Sequence, residues 1–497
     1  MNLRMAMRRS RTTGNPRKPG FRLRQVPTLT CMLICLSTFL LPGTWAATIT
    51  ASSCSQTAVQ NAINSANSGD TVVIAATAHP CTITGNVTIT QGITFDGGGD
   101  TSMIANFNVT PTTLASTRIT GFLFDANTSR ITVGTQSNLV SPTVKPFRID
   151  HNQWGTSSLN GPSGVDIEIW GRAGLTGLID NNTIYAGSAG NGALSSYGPE
   201  PIHNFGGVNH CPPGNCGDTW QDQTSWHTPL TPGSGNAIYI EHNTINDVMT
   251  SVNGCSWVEA YSGSVTVARY NNIMNCAFDE HGTAGMVGAR WWELYENTYY
   301  IPSSGFAYSD IRAGSGLIFH NHMAPGSKTG APFQIREEDT SETYPACYQI
   351  GRGFDATPSS SSVNPGWQSC TKDDTSYFGT SVNPEYFSPA YFWGNDAGME
   401  NAISITSGSI VLGRDILCWD GTQWSGTCGN TSDPSQVLIH RCQDGTEAGC
   451  SATTTSTATY PYTPFKYPYP LDANGLPNPT AGATGPAPPT SLAATVQ

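Results

Sequence analysis

An all-β solenoid, in which short parallel strands stack rung upon rung, is the fold class this sequence predicts. Three observations point to it. Only 12% of the 497 residues are charged while Gly, Ser, Thr and Asn abound, a composition unlike that of a helical bundle. A phrase of apolar, any, any, Asn, any, apolar recurs as "IDHNQW" from Ile149, "IDNNTI" from Ile179, "IEHNTI" from Ile240, "RYNNIM" from Arg269, "LYENTY" from Leu294, "IFHNHM" from Ile318 and, more faintly, "FWGNDA" from Phe392. Several intervals between the asparagines lie between 24 and 30 residues, the period of a stacked supersecondary unit that buries its apolar side only against its neighbours. The aligned asparagines are 152, 182, 243, 272, 297, 321 and 395. At a turn, Asn tolerates left-handed backbone angles, and its amide is expected to bond the asparagine one rung away, about 4.8 Å off.

The elements follow in chain order. Residues 1–28 hold eight Lys or Arg and no acid. The apolar run "LTCMLICLSTFLL" and the small residues of "PGTWAAT" come next, so 1–46 read as a secretory signal. A membrane-spanning helix is the alternative, but the run is shorter than the roughly 20 apolar residues a bilayer needs. Removing this segment leaves 15 Lys and Arg against 35 acids, a net charge of −20, which argues against a nucleic-acid partner. The 12 cysteines outside it fall in near pairs: Cys54 and Cys81, Cys211 and Cys216, Cys255 and Cys276, Cys347 and Cys370, Cys418 and Cys428, Cys442 and Cys450. In an exported chain these pairs read as disulfides closing short loops, with zinc the alternative for "CPPGNC". The stretch "QTAVQNAINSANSGDTVVIAA" spaces Val59, Ala62, Ile63 and Ala66 as one face of a helix that would cap the open end of the strand stack, before a strand over Thr71 to Ala75.

The solenoid is expected over 47–413, with a loop insertion at about 186–235 that carries His203, His210, Trp220, Trp226 and His227. Residues 414–473, rich in cysteine and turn residues, are expected to form a disulfide-tied cover. Residues 474–497 read as a Pro, Ala and Thr linker-like tail. Together "AVQNAINSANSGDTVVIAA", "GITFDGGG" and the Asn-turn strands resemble the right-handed parallel β-helix proteins of the pectate-lyase-like superfamily, over roughly residues 48 to 415. That resemblance implies a single-stranded right-handed parallel β-helix. It implies no one reaction, because the fold hosts lyases, hydrolases and adhesins. "YSGSVTVARYNNIMNCAFDEHG", "RWWELYENTYY" and "RAGSGLIFHN" further resemble exported bacterial β-helix repeat proteins.

Candidate chemistry centres on "NCAFDEHGTAGMVGARWWELYENTYY". If the strand continues past Cys276, Asp279 and His281 share the solvent face while Glu280 points at the core, so Asp279 is expected to orient His281 as a base. Arg290 and Arg312 are expected on successive rungs nearby, a local exception to the acidic field and a clamp for a uronate carboxylate. Trp291 would give a stacking platform and Glu293 an acid, with Glu259 and Tyr261 as further contacts one rung earlier. Trp220 and Trp226 are candidates for stacking on sugar rings. Asp150, Asp180 and Glu241 fill one place in three phrases, and a calcium ion is a candidate to relieve their repulsion. The bland alternative is a surface ion-pair network.

Two function classes follow. One is an exported enzyme on extracellular polysaccharide, by β-elimination with His281 as base and both arginines on the uronate, or by hydrolysis with Asp279 and Glu293 as the carboxyl pair. The other is a non-catalytic, glycan-binding rod at the cell surface. A secreted or surface-held monomer with no membrane span after cleavage is expected in either case.

Overall fold

The computed structural model describes residues 46–124, 129–155, 166–172, 174–186, 201–205, 231–247, 255–261, 263–280, 289, 291–301, 308–311, 315–328, 333–335, 389–400, 403–405, 412–413, 416–440 and 459–470. The expected signal apart from Ala46, the Trp220 and Trp226 loop, three of the cysteine pairs and the tail lie outside them.

The described residues are mostly β, and apart from two antiparallel pairs, Ile416–Trp419 with Trp424–Ser425 and Leu438–His440 with Thr459–Pro461, their strands pair in parallel in three lines. The first line runs through Thr48–Ala51, Thr71–Ile74, Thr94–Met103, Arg118–Phe124, Phe147–Asp150, Gly177–Asp180, Ile238–Glu241, Val265–Arg269, Trp291–Tyr295, Ser315–Phe319, Ala390–Trp393 and Ile416–Trp419. The second shares the long strands Thr94–Met103 and Arg118–Phe124 and continues through Gln153–Trp154, Thr183–Ala186, Thr244–Asp247, Asn272–Met274, Thr298–Tyr300 and His322–Met323. The third is a separate ten-stranded sheet from Val87–Ile89 to Ile403–Ile405. From Phe147 to Tyr300 the chain visits first, second and third lines in cyclic order. The last rung of the first line, Ile416–Trp419, lies beyond the boundary expected at 413 and is closed by the Cys418–Cys428 disulfide.

Period-2 alternation explains why these residues make strands. Ile149, Ile179, Ile240, Leu294, Ile318 and Phe392 share one core-facing column, and Ile167, Ile202, Val258, Phe278 and Phe333 share another. The expected N-terminal helix is Gln56–Ser65. The Ser55 hydroxyl accepts from the Ala58 N–H at its start, and Val59, Ala62 and Ile63 are buried on its inner face. Cys54–Cys81 and Cys255–Cys276 are bonded as their spacing predicts.

The asparagine ladder is present, with two corrections. Its members are Asn152, Asn182, Asn243, Asn271, Asn297, Asn321 and Asn395. Each side-chain amide from Asn152 to Asn321 donates to the Oδ1 of the next at 2.9–3.2 Å, and each Oδ1 from Asn182 onward also accepts the preceding asparagine's backbone N–H. The fourth rung is therefore Asn271 rather than Asn272, a shift of one residue that turns Asn272 outward. The left-handed angles belong not to these asparagines but to the residues before them: His151, Asn181, His242, Tyr270, Glu296 and His320 all have φ between 50° and 59°, and Gly394 has φ 64°. Bending at the preceding residue leaves each asparagine extended enough to aim its amide along the stack.

The face of the first line turned away from the core is also covered. Tyr239, Val267, Trp291, Tyr295, Leu317, Phe319, Tyr391 and Trp393 form a second apolar cluster with Tyr462 and Tyr469 from the segment 459–470. Asp433 joins that cover to the stack by accepting from His320 Nε2 at 2.7 Å, while His320 Nδ1 faces Glu296 at 3.3 Å. His322 lies 3.2 Å from Glu296 and 3.4 Å from Asp396. Each imidazole thus has a carboxylate at both nitrogens. Hydrogen bonds that His320 donates to Glu296 and Asp433 raise its pKa to about 9, and the bonds Glu296 accepts from His320 and His322 lower its own to about 2.

Two predictions follow. Asn243→Ala strands the Asn182 amide and the Ile179 carbonyl in the interior and should cost roughly 2–4 kcal/mol in denaturant unfolding. Asn272→Ala, on the half-buried outer side, should cost less than about 0.5 kcal/mol; equal losses would contradict the corrected register. The histidine cluster contributes stability in full below the ordinary histidine value and loses it as pH rises through about 9. The Glu296 contribution is lost only as pH falls through about 2. A melting temperature that declines from pH 7 to 10 in the wild type, and declines less in His320→Gln/His322→Gln, is the expected result.

Candidate active site

The third line of strands carries the candidate site. Its strands read Ile-Glu-Ile-Trp (167–170), Ile-His-Asn-Phe (202–205), Val-Glu-Ala-Tyr (258–261), Phe-Asp-Glu (278–280), Ser-Asp-Ile (309–311) and Phe-Gln-Ile (333–335), and their register places Glu168, His203, Glu259, Asp279, Asp310 and Gln334 in one column. Flanking residues face the core, so alternation turns this column outward. Glu168 and Asp310 are half-buried, whereas Glu259 and Asp279 retain only 2% of their surface. His203 Nε2 lies 3.2 Å from Glu259 Oε2, and the Ser256 hydroxyl donates to Asp279 Oδ2 at 3.1 Å. Arg130 Nη1 reaches Glu168 at 3.3 Å, and Trp170 stacks on Phe205 with centroids 3.9 Å apart beside the column.

Asp166 begins the strand that carries Glu168. It is fully buried, and neither carboxyl oxygen has a hydrogen-bond partner among the described residues. Burial pushes its pKa well above the usual carboxylate range, only partly offset by the nearby charge of His203. Burial thus favours its protonated form, with the His203 imidazole nearby.

Several sequence expectations divide differently. Asp279 occupies the outward column, but it is buried rather than solvent-facing. Glu280 does face the core side, in register with Ala260 and Ile311, and the Ala289 backbone N–H satisfies its carboxylate. Glu293 and Trp291 lie on the first line, not the third, so they share no face with Asp279 and the Asp279–Glu293 carboxyl pair does not form. Trp291 is 1% exposed and gives no stacking platform. Its indole N–H donates to Glu293 Oε1 at 3.0 Å, where the Gly233 N–H also donates, and the Tyr462 hydroxyl donates to Oε2 at 2.7 Å. Burial raises the pKa of Glu293 despite those donors, and its role is to hold the C-terminal cover. Glu259, expected only as a further contact one rung earlier, is a column member, and Tyr261 follows it at the strand end opposite Phe205. His281, Arg290, Arg312, Trp220 and Trp226 lie outside the described residues.

Asp150, Asp180 and Glu241 are in register as expected, yet arginine rather than calcium answers their charge. Arg118 Nε donates to Asp150 at 2.8 Å, Arg148 grips Asp180 through two bonds of 2.8 and 2.7 Å, and Arg269 Nε donates to Glu241 at 2.7 Å. Burial opposes ionisation of Asp150, but Arg118, His151 and Arg148 hold it below the usual carboxylate range. Among the described residues no group of three or more His, Cys, Asp or Glu is arranged to hold a metal ion.

No protein-family profile and no curated protein matches the sequence. A solved alginate lyase from Paenibacillus sp. aligns at 15% identity over 57% of this chain and 97% of its own, with a TM-score of 0.34, too low to carry an argument. No described helix is long and apolar enough to cross a membrane.

The buried acid gives the site its clearest thermodynamic signature. A folded-state pKa raised above the unfolded value means that stability falls as pH rises past the ordinary aspartate range. Asp166→Asn, which cannot ionise, should therefore raise unfolding free energy near pH 7 by about 1–3 kcal/mol and do little below pH 4. Destabilisation by Asn at both pH values would contradict a carboxyl whose pKa burial raises.

Proposed function

We propose that the cyclic run of strands closes into the right-handed parallel β-helix of the pectate-lyase-like superfamily and that the chain is an exported enzyme acting on polysaccharide along the outer face of its ten-stranded sheet. The observation that carries this reading is the in-register column His203, Glu259, Asp279 and Asp310, general acid–base groups repeated at rung spacing along a line an extended polymer would follow. Three disulfides fit export to an oxidising compartment.

Register sets the backbones of Glu259 and Asp279 one rung apart, about 4.8 Å, which lets their carboxyls take up the separation of about 5 Å at which one attacks while the other gives and takes a proton. In this reading the His203–Glu259 pair donates its proton to the glycosidic oxygen as that bond to the anomeric carbon breaks. Asp279, held by the Ser256 hydroxyl, forms the bond to the same carbon. Water deprotonated by Glu259 then releases the sugar and restores both groups. The β-elimination expected from the sequence depends on Arg290 and Arg312. The described column supplies four acids and an imidazole instead, which favours hydrolysis over capture of a uronate.

A second reading has its own support. The 2% exposure of Glu259 and Asp279 suits a buried network that stiffens the sheet in a non-catalytic, glycan-binding protein.

Purified chain incubated with neutral and acidic polysaccharides should release new reducing ends without the ultraviolet absorbance of unsaturated products. Glu259→Gln and Asp279→Asn should each lower that rate by about 1,000-fold or more, and the half-buried Asp310→Asn serves as a variant less demanding of folding. Absorbing products would establish elimination. Silence in both assays across the panel, or full activity in folded Glu259→Gln, would leave the non-catalytic reading.

A further inference from the structure

The second line of strands presents an outer face that the acid column does not explain. In register from rung to rung, its outward positions read Thr183, Thr244, Asn272 and Thr298 in one column and Tyr185, Asn246, Met274 and Tyr300 in the next. Between these outward positions Ile184, Ile245, Ile273 and Tyr299 point into the core, so the backbone under the face is rigid. All eight outward residues are half-buried. None of the four side chains of the first column spends a hydrogen bond on any described residue.

Neither column contains an acid, lysine or arginine between Thr183 and Tyr300, and register continues the first column to His322. Charge returns at the edge of the face, with Glu296, His322 and Asp396. The face therefore combines hydroxyl and amide groups that bond no described residue in one column with two tyrosines, an amide and a methionine in the neighbouring one. That pairing matches a sugar ring, which offers hydroxyls at its edge and apolar C–H groups on its face. The rung repeat of about 4.8 Å is close to the length of one pyranose residue, so the same contacts would recur along a polymer. The imidazoles at that edge, His320 and His322, are already held by Glu296, Asp433 and Asp396, so an anionic polymer would meet acids there.

We propose that this face binds a neutral polysaccharide chain laid across the rungs, at a site separate from the acid column. The inference goes beyond the proposed catalysis and does not depend on it, because binding is read without turnover. Full-length protein should sediment with an insoluble neutral β-glucan and not with an insolubilised polyuronate, and 0.5 M-scale salt should not release it. Thr244→Glu/Thr298→Glu should weaken sedimentation at least about tenfold. The milder Thr183→Ala/Thr244→Ala/Thr298→Ala should weaken it less while leaving the melting temperature near wild type. Asp279→Asn should bind as the wild type does. Failure of the wild type to bind the neutral polymer, equal binding of the polyuronate, or unchanged binding by the folded alanine variant would each overturn the assignment.

Discussion

Every functional statement about this protein depends on one buried contact repeated along the stack, the asparagine amide that joins each rung to the next. An amide in this position has two donors and a carbonyl to place away from water, and leaving any of them unmade costs more than a typical hydrogen bond contributes. The ladder places them by donating to the next asparagine and to a main-chain carbonyl, so a rung displaced by one residue would orphan several polar groups at once. Fixed register is what turns single residues into columns. The same contact outweighs the cost of holding six non-glycine residues at positive φ, a conformation disfavoured by about 1–2 kcal/mol each.

Register also decides how the molecule tolerates buried charge. Acids stacked at rung spacing repel, and the first line answers them from within the stack: Arg118, Arg148 and Arg269 lie one strand away from Asp150, Asp180 and Glu241. Arg269 goes further, with Nη1 donating to the Phe465 carbonyl and Nη2 to the Lys466 carbonyl of the C-terminal segment. Glu293 and Glu241 receive donors from the same cover. Removing one partner of such a pair would leave an uncompensated charge, so this face is committed to architecture. The ten-stranded sheet handles charge differently. Its column is acid-rich, with one imidazole between Glu168 and Glu259, and it holds a carboxyl with no partner among the described residues in Asp166. That contrast separates a structural face from a candidate catalytic one.

Much of the site was written in the sequence and passed over. The phrases "DIEIW", "PIHNF", "WVEAY", "AFDEH" and "YSDI" share a polar residue between core-facing neighbours, a repeat as regular as the asparagine turn but spread over variable spacings by the intervening loops. Aligned on that polar residue, the five strands put Glu168, His203 and Asp310 beside Glu259 and Asp279. Trp291 and Glu293 were misplaced for a physical reason. Nearness in sequence to Asp279 suggested nearness in space, but Trp291–Tyr295 pairs with Val265–Arg269 and Ser315–Phe319, in another sheet from Cys276–Glu280.

By itself the sequence determined the all-β class, the stacking period, the N-terminal helix, three disulfide pairs and the chain of bonded asparagines. Each rests on local chemistry: alternation of apolar side chains, turn residues, and cysteines close enough to close short loops. Only tertiary structure decided which sheet a given strand joins, that arginines rather than a cation neutralise the stacked acids, and that the segment 459–470 seals the face bearing Glu293. Those outcomes depend on contacts between residues more than 200 positions apart, such as the Tyr469 N–H on Glu241, 228 positions away, and no local pattern encodes them.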